Sequence, residues 1–408
     1  MSIKTKLSHF MITNKTLYAL QDITVVPAEI STIRHRNECN VYYEMDNRKM
    51  LPIFTSPMDT VVSPKNFQQF IDNKITPILP RTESLEKRLE YVKNGLWSAF
   101  GLHEFQVYFC SGKWNEKQDS PVYSSKYYEF ENLKKEQQIN VLIDMANGHI
   151  LDLFCAIRNA KKTAKELGYN LVVMAGNIAN PHTFVHLADA GADYIRVNVG
   201  GGSRCTTSAN TSVHYAMASL IDECHQIKKQ HPEFQHVKII ADGGIGSYSL
   251  AIKALACGAD YVMVGNLFAK TFESASEFKG MHIPEKVYEY PTLHELNDGR
   301  VTYTEQEKKD IIKKYSPLVK AYYGMSTRKA QEKILLANGV KKEDVKTKTA
   351  EGIEKDVTVD YTLYQWTDNF ISYLRSAMSY CNFKQIADFV GGPEIMLLSD
   401  GAKNAINK

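Results

Sequence analysis

Short runs of β-branched and other apolar residues alternate with longer polar, amphipathic stretches along most of this chain. The runs at 51–55, 76–79, 97–102, 140–144, 171–175, 194–199, 237–241 and 261–265 predict strands. Between them, the stretches at 149–167, 181–190, 212–229 and 247–257 carry apolar positions at helical spacing. Strands that alternate with helices predict parallel βαβ units, hence an α/β fold. Eight such strands predict a closed (β/α)8 TIM barrel, with a doubly wound open sheet as the alternative that the pattern alone leaves open.

Two regions break the rhythm. Residues 103–135 hold Phe105, Tyr108, Phe109, Trp114, Tyr123, Tyr127, Tyr128 and Phe130 among polar residues, and read as a loop insertion or a subunit contact. Base stacking on these rings would need a basic stripe around them, which is absent. Residues 337–349 (ANGVKKEDVKTKT) are polar and charged, a solvated loop or a lid over the active face.

Composition narrows the class. Hydrophobic residues make up 44% of the chain and charged residues 23%, as in ordinary globular proteins. The 49 basic and 46 acidic side chains leave a net charge of +3, too little to indicate nucleic acid as a partner. No stretch of about 18 apolar residues is present, so no membrane span is expected. The start has no signal-peptide pattern, and a cytoplasmic protein is expected. Seven cysteines are scattered with no CxxC pair, against a zinc ribbon or a disulfide framework.

The densest chemistry lies at 197–208, VNVGGGSRCTTS, directly after a predicted strand. Three glycines let the backbone approach a ligand closely. Cys205 on such a loop is accessible to a substrate, and backbone N–H groups could hold its thiolate, the actual nucleophile. The other cysteines, including Cys155 and Cys257 on predicted helices, read as buried apolar residues. IIADGGI at 239–245 and YVMVGNLFA at 261–269 end two strands in glycine, as the seventh and eighth strands of a barrel do where they form a phosphate site. Asp242 at such an end suits a ribose diol.

Taken together, SPMDTV at 56–61, AGNI at 175–178, GGGSRCTT at 200–207, ADGGI at 241–245 and GNLFA at 265–269 resemble the IMP dehydrogenase/GMP reductase family. YYGMS at 322–326, AEGIE at 350–354 and LRSAMSYC at 374–381 extend the resemblance in the family's order, roughly from residue 17 to 390. It implies one TIM-barrel catalytic domain over 1–408, with a flap-like segment at 325–360. It also implies a purine nucleoside monophosphate, IMP/XMP or GMP, as substrate and NAD, or alternatively NADP, as cofactor. Cys205 would attack purine C2, with Thr207 beside it. Ser203, Gly243, Gly244, Gly265, Asn266 and Tyr323 would cradle the phosphate and Asp242 the ribose. Ser56, Met58, Gly324, Glu351 and Gly352 complete the implied substrate site. Asp144, Asn147 and Asn177 would face the cofactor. Carbonyls of Gly200, Gly202 and Cys205 would hold a potassium ion, and the barrels would assemble as a homotetramer.

The two activities of the family divide the motifs. Residues 81–141 are too few for the regulatory CBS pair that most of its dehydrogenases carry, so that module is excluded. DMANG at 144–148 and YYGMS resemble the reductases; SPMDTV, ADGGI and AEGIE resemble the dehydrogenases. The dehydrogenases activate water with an Arg-Tyr pair in the flap, and 324–352 contain none. Lys341 or Lys342 falls near that place, although an ammonium with a pKa of about 10.4 is a poor base. The reductases pair the threonine matching Thr207 with a glutamate, where this chain has Arg328. An IMP dehydrogenase-like enzyme is expected first, a GMP reductase-like enzyme second and a non-catalytic nucleotide-binding protein third.

Overall fold

A computed structural model describes residues 15–45, 48–111, 130, 133–134, 136–201, 207–279, 291–350 and 352–406. Eight parallel strands form its centre: β1 (Ile53–Thr55), β2 (Ile78–Leu79), β3 (Trp97–Phe100), β4 (Gln138–Ile143), β5 (Asn170–Ile178), β6 (Tyr194–Val197), β7 (Lys238–Asp242) and β8 (Tyr261–Val264). They pair in the order 1-8-7-6-5-4-3-2. The ring closes where Thr55 N donates to Thr76 O at 3.0 Å and Thr76 N donates to Ile53 O at 3.0 Å. That closure excludes the open sheet, and the fold is the expected TIM barrel.

Apolar side chains fill the barrel. Phe54, Trp97, Tyr194 and Tyr261 meet at ring distances of 5.1 to 5.7 Å, mostly edge to face. A hairpin of Tyr43–Met45 and Arg48–Met50 covers the N-terminal end, with Tyr43 against Tyr261 at 5.1 Å. With that end plugged, the chemistry is confined to the loops at the other.

The outer helices follow the sequence signals. α1 (Phe67–Asp72) and α2 (Leu85–Lys93) flank β2, and Ser84 caps α2 by accepting from Lys87 N at 3.3 Å. α3 (Leu102–Phe109) occupies the start of the region read as an insertion. There Phe109 meets Phe100 edge to face and packs against Phe105 and Phe130, and Tyr108 is buried. These rings therefore belong to a barrel helix and its packing, a correction to the loop boundary at 103; Trp114, Tyr123, Tyr127 and Tyr128 lie outside the described residues. α4 (Leu151–Leu167) and α5 (Pro181–Ala190) end at Gly168 and Gly191, both left-handed. α6 (Met217–Gln230) begins later than expected, because Ser212 is left-handed and Ala216 extended. α7 (Tyr248–Ala256) starts where Ser247 caps it.

A smaller antiparallel sheet stands beside the barrel, formed by β9 (Phe278–Lys279), β10 (Val319–Tyr323) and β11 (Glu354–Thr358). Helix α8 (Arg328–Ala337) joins β10 to β11 and makes the flap-like segment a folded unit rather than a bare loop. α9 (Leu363–Tyr380) then packs Trp366 and Phe370 on the barrel, Trp366 lying 4.8 Å from Phe268.

One buried group gives a pH prediction. His225 on α6 is buried, and among the described residues neither of its ring nitrogens has a hydrogen-bond partner. Gly258 and Gly391 leave its space, since a Cβ at either would come within 2.4 Å of the ring. Burial, then Lys229 and Lys228, hold its pKa below the ordinary 6.5, against weaker pull from Asp260 and Asp222. The unfolded chain takes up the proton first. Stability is therefore full above pH 6.5 and falls as the pH drops below it. Melting temperatures across that range should show the loss, and His225→Met should flatten it.

Candidate active site

A cavity of about 390 Å³ opens at the C-terminal ends of the strands, and the sequence-predicted residues converge there. A roomier cleft of about 540 Å³ lies by the N-terminal hairpin, lined by Arg48, Lys93 and Trp97. The glycine-rich strand ends do not reach it. Loop chemistry at the C-terminal face of the barrel identifies the first as the site.

Its floor is an ionic network. Arg196 stands in the otherwise apolar strand β6 and is buried. Its Nη1 donates to Asp144 Oδ1 at 3.0 Å, while Nε and Nη2 donate to Asp242 Oδ2 at 3.1 and 2.7 Å. Burial opposes the charge of Arg196, but Asp242 and then Asp144 outweigh it and hold the guanidinium above its ordinary pKa. Asn177 Nδ2 donates to Asp242 Oδ2 and to Asn198 O, each at 2.8 Å. Asn198 Nδ2 in turn donates to Asp242 O at 3.0 Å. Oδ2 of Asp242 thus takes three donors, and among the described residues no donor is recorded on Oδ1. A carboxylate so fixed, with one oxygen left over, can accept from a ligand hydroxyl without reorganising.

One wall is glycine. Gly243 and Gly244 adopt positive φ of 82° and 72°, where other residues are strained. Next to them, Gly265 opens the short helix Asn266–Ala269. A Cβ on Gly265 would lie 3.0 Å from Ser56 Oγ, 3.0 Å from Tyr322 Oη and 3.2 Å from Met58 Sδ. These four residues therefore meet at one point of the lining. Gly265→Ala should raise the KM for a monophosphate by about tenfold, a loss of about 1.4 kcal/mol, with little change in melting temperature.

The loop carrying the expected nucleophile leaves from this cavity. Val199, Gly200 and Gly201 line it, and Ser208 Oγ folds back to donate to Gly200 O at 3.1 Å. Gly202, Ser203 and Cys205 lie outside the described residues, as does Glu351, and Thr207 is described only as the first residue of a short helix, Thr207–Thr211. Of the six described cysteines, Cys39, Cys224, Cys257 and Cys381 are buried. Burial pushes the thiols of Cys110 and Cys257 up to about 12, so neither is a ready thiolate.

Four expectations do not meet at the cavity. Tyr323 is the first. Neighbours on a strand face opposite ways, so Tyr322 lines the cavity while Tyr323 turns its hydroxyl to donate to Asp59 Oδ2 at 2.6 Å. Lys333 of α8 donates to that same carboxylate oxygen at 2.6 Å and to Tyr323 Oη at 2.9 Å, pinning α8 to the loop after β1. Burial and Asp59 hold the Tyr323 pKa above its ordinary range. Lys341 and Lys342 are exposed beyond α8, outside the cavity lining, so neither reaches a water inside it. Asn147 is exposed, its Oδ1 accepting from His149 N at 3.1 Å. Gly352 is likewise off the lining. Arg328 is exposed at the start of α8 and cannot supply the missing acid.

Comparison with known proteins matches residues 120–290 to the IMP dehydrogenase / GMP reductase domain. An inosine-5'-monophosphate dehydrogenase of Chlorobaculum tepidum is 31% identical over 252 residues, 61% of this chain and 43% of that protein. A GMP reductase of Leishmania donovani is 30% identical over 251 residues, again 61% of this chain and 43% of that protein. A GMP reductase of Staphylococcus epidermidis is 28% identical over 270 residues, 64% of this chain and 74% of that protein. Over these spans the chain is similar to the IMP dehydrogenase/GMP reductase family.

The relatives' names divide between the two activities at about the same identity, so the similarity alone does not choose one. The matched span reaches less than half the length of the first two relatives. Ser56, Met58, Asp144, Asn177, Gly200, Asp242, Gly243, Gly244, Gly265, Asn266 and Gly324 come together as the motifs anticipate. Arg196 and Tyr322 are additions. A lone charge inside the strand YIRV was the available signal for Arg196; for Tyr322 the sequence says only that it and Tyr323 face opposite ways.

Proposed function

We propose that this chain is a purine nucleoside monophosphate oxidoreductase acting at purine C2 through Cys205, in the direction of an IMP dehydrogenase: IMP, NAD and water to XMP and NADH. The observation that carries this reading is the Asp144–Arg196–Asp242–Asn177 network beneath a cavity bordered by the root of the Cys205 loop. It joins the ribose contact to the two residues expected beside the nicotinamide.

The glycine wall with Tyr322 and Ser56 holds the phosphate, and Asp242 Oδ1 accepts from the ribose diol. Met58 and Ile334 of α8 border the base and exclude water. The Cys205 thiolate attacks C2, forming the C–S bond as the C2–H bond yields a hydride. A nicotinamide dinucleotide, held beside Asp144 and Asn177, would supply the hydride acceptor. Water then adds to the remaining thioimidate, and C2–S cleavage returns the thiolate and releases XMP and a proton. Asp144 and Asn177 orient the partner face. The ionisable side chains lining the cavity among the described residues are Arg81, Asp144, Arg196, Asp242 and Tyr322.

The second reading is GMP reductase: GMP and NADPH to IMP and ammonia through the same thioimidate run in the opposite sense. The match that covers 74% of a GMP reductase favours it. The potassium ion at the Gly200, Gly202 and Cys205 carbonyls and the homotetramer belong to the same proposal.

Absorbance at 340 nm tests both readings. A rise with IMP and NAD is expected; a fall with GMP and NADPH would transfer the assignment to the reductase. Silence in both would reject the oxidoreductase.

A further inference from the structure

We infer that Lys320 is a positioning residue for the monophosphate: it ties strand β10 to the barrel and thereby sets where Tyr322 stands in the cavity wall. The inference rests on the reading above that places Tyr322 at the phosphate, and it adds the group that holds the tyrosine there.

Ser56, Met58, Gly265 and Tyr322 meet at one point of the lining, but they do not share one frame. The first three belong to the barrel, and Tyr322 to the middle strand of the side sheet. Lys320 lies two residues before Tyr322, so both side chains leave the same face of β10, about 7 Å apart along the strand. Its Nζ donates to Phe272 O at 2.8 Å and to Ser274 O at 2.7 Å. Those carbonyls belong to a turn that the barrel fixes from two sides. On the side of β1, Asn66 Nδ2 donates to Glu273 O at 2.8 Å and Ala275 N donates to Val61 O at 3.2 Å. On the other, Ser274 Oγ donates to Ala269 O at 3.1 Å, at the end of the short helix that Gly265 opens. Lys320 thus links Tyr322 to the same backbone that carries its three neighbours in the wall.

Lys228 shows what an ion-paired structural lysine looks like here. It is buried, and its Nζ donates to both oxygens of Asp260, at 3.2 and 3.0 Å. Lys320 is 1% exposed and, among the described residues, has carbonyls rather than a carboxylate as partners. Glu273 in the same turn is committed to Lys308 Nζ at 2.7 Å and to Leu363 N at 2.8 Å. Another side of the ammonium lies against Phe278, its cross-strand partner on β9, 4.0 Å from the ring centre. Burial opposes the charge and holds the pKa down to about 7, against a weaker pull from Glu273. Two carbonyls and a ring offset that burial less than a carboxylate would. The contribution of Lys320 is therefore directional: it aims a strand rather than neutralising a charge.

Two ties flank Tyr322. Tyr323 anchors the next position to Asp59, and Lys320 anchors the strand two residues earlier. Between them, Ser276 Oγ of the same stretch donates to Ala321 O at 2.5 Å. Without the Lys320 ammonium, β10 keeps its backbone pairing with β9 and β11, so the side sheet survives while its placement against the barrel is less fixed. A hydroxyl that must be reordered to meet an anion loses affinity well before the fold is lost.

The test is a double-mutant cycle on the full-length protein, read by calorimetric affinity for IMP and for GMP. Tyr322→Phe should weaken the better-bound nucleotide by about tenfold, the loss of one hydrogen bond to an anion. Lys320→Met should weaken it by a similar factor. Introduced into the Tyr322→Phe protein, however, Lys320→Met should change affinity by no more than about twofold, because the hydroxyl it positions is already gone. Should Lys320→Met not fold, Lys320→Gln takes its place in the cycle, since its shorter amide keeps a donor but cannot reach both carbonyls. A Lys320 loss that persists in the Tyr322→Phe protein assigns the lysine a general structural role and overturns the inference. A Lys320 variant that binds as the wild type does overturns it too, and both results leave the nucleotide reading intact. A wild-type protein that binds neither IMP nor GMP removes both.

Discussion

Cys205→Ala is expected to reduce turnover by about four orders of magnitude or more while the protein still binds IMP within a few-fold of wild type. The size of the loss follows from the proposed chemistry, in which every turnover passes through the C–S bond. Retained affinity follows from the site, because the ribose and phosphate contacts come from Asp242, the glycine wall and Tyr322 rather than the thiol. No described cysteine is placed to take over: four are buried, and burial pushes the Cys110 thiol up to about 12. Turnover and calorimetry on the same preparation check both halves. Loss of both together would make Cys205 a structural residue.

Arg196→Met is expected to destabilise the fold by about 3–5 kcal/mol, because it leaves Asp144 and Asp242 buried together without their shared cation. Methionine fills the space but supplies no charge. The same change frees Asp242 Oδ2, so the carboxylate loses two of the three donors that aim it. Denaturant unfolding should report the first effect, and a rise in the KM for the nucleotide the second. Arg196→Lys separates them. A lysine restores one ion pair but cannot span two carboxylates, so stability should recover more than affinity. A variant as stable as the wild type would mean that the network contributes nothing to the barrel.

Much of this site was legible before any coordinates, and the reason is local. Barrel strands are buried on both sides, so each appears as an unbroken apolar run, and glycines punctuate the loops that approach a ligand. Asp242, Gly243 and Gly244 could be placed from ADGGI because one strand end fixes all three. What failed needed a second dimension. Tyr322 and Tyr323 are adjacent in sequence and opposite in space, and only the register of β10 against β11 shows which one faces inward. Lys341 and Lys342 sit in the flap by position, but α8 ends before them and leaves them in solvent. Residues 103–109 look like the start of an insertion because aromatic residues crowd a polar stretch. They form a helix whose rings turn inward, Phe109 meeting Phe100 edge to face. Arg81 and Arg88 are indistinguishable as letters, and only the structure shows that Arg88 is tied to Glu104 and Asn338 while Arg81 lines the cavity.

The central claim is that a hydride passes between purine C2 and nicotinamide in this cavity, and an isotope answers it directly. IMP carrying deuterium at C2 is incubated with the protein and NAD, and the nucleotides are examined by mass spectrometry and NMR. The account predicts NADH with deuterium at C4 of the nicotinamide, formed in step with XMP and absent with Cys205→Ala. For the reverse activity, deuterated NADPH and GMP would give IMP labelled at C2. Unlabelled NADH in the first incubation, or deuterium that stays on IMP in the first and on NADPH in the second, would contradict it.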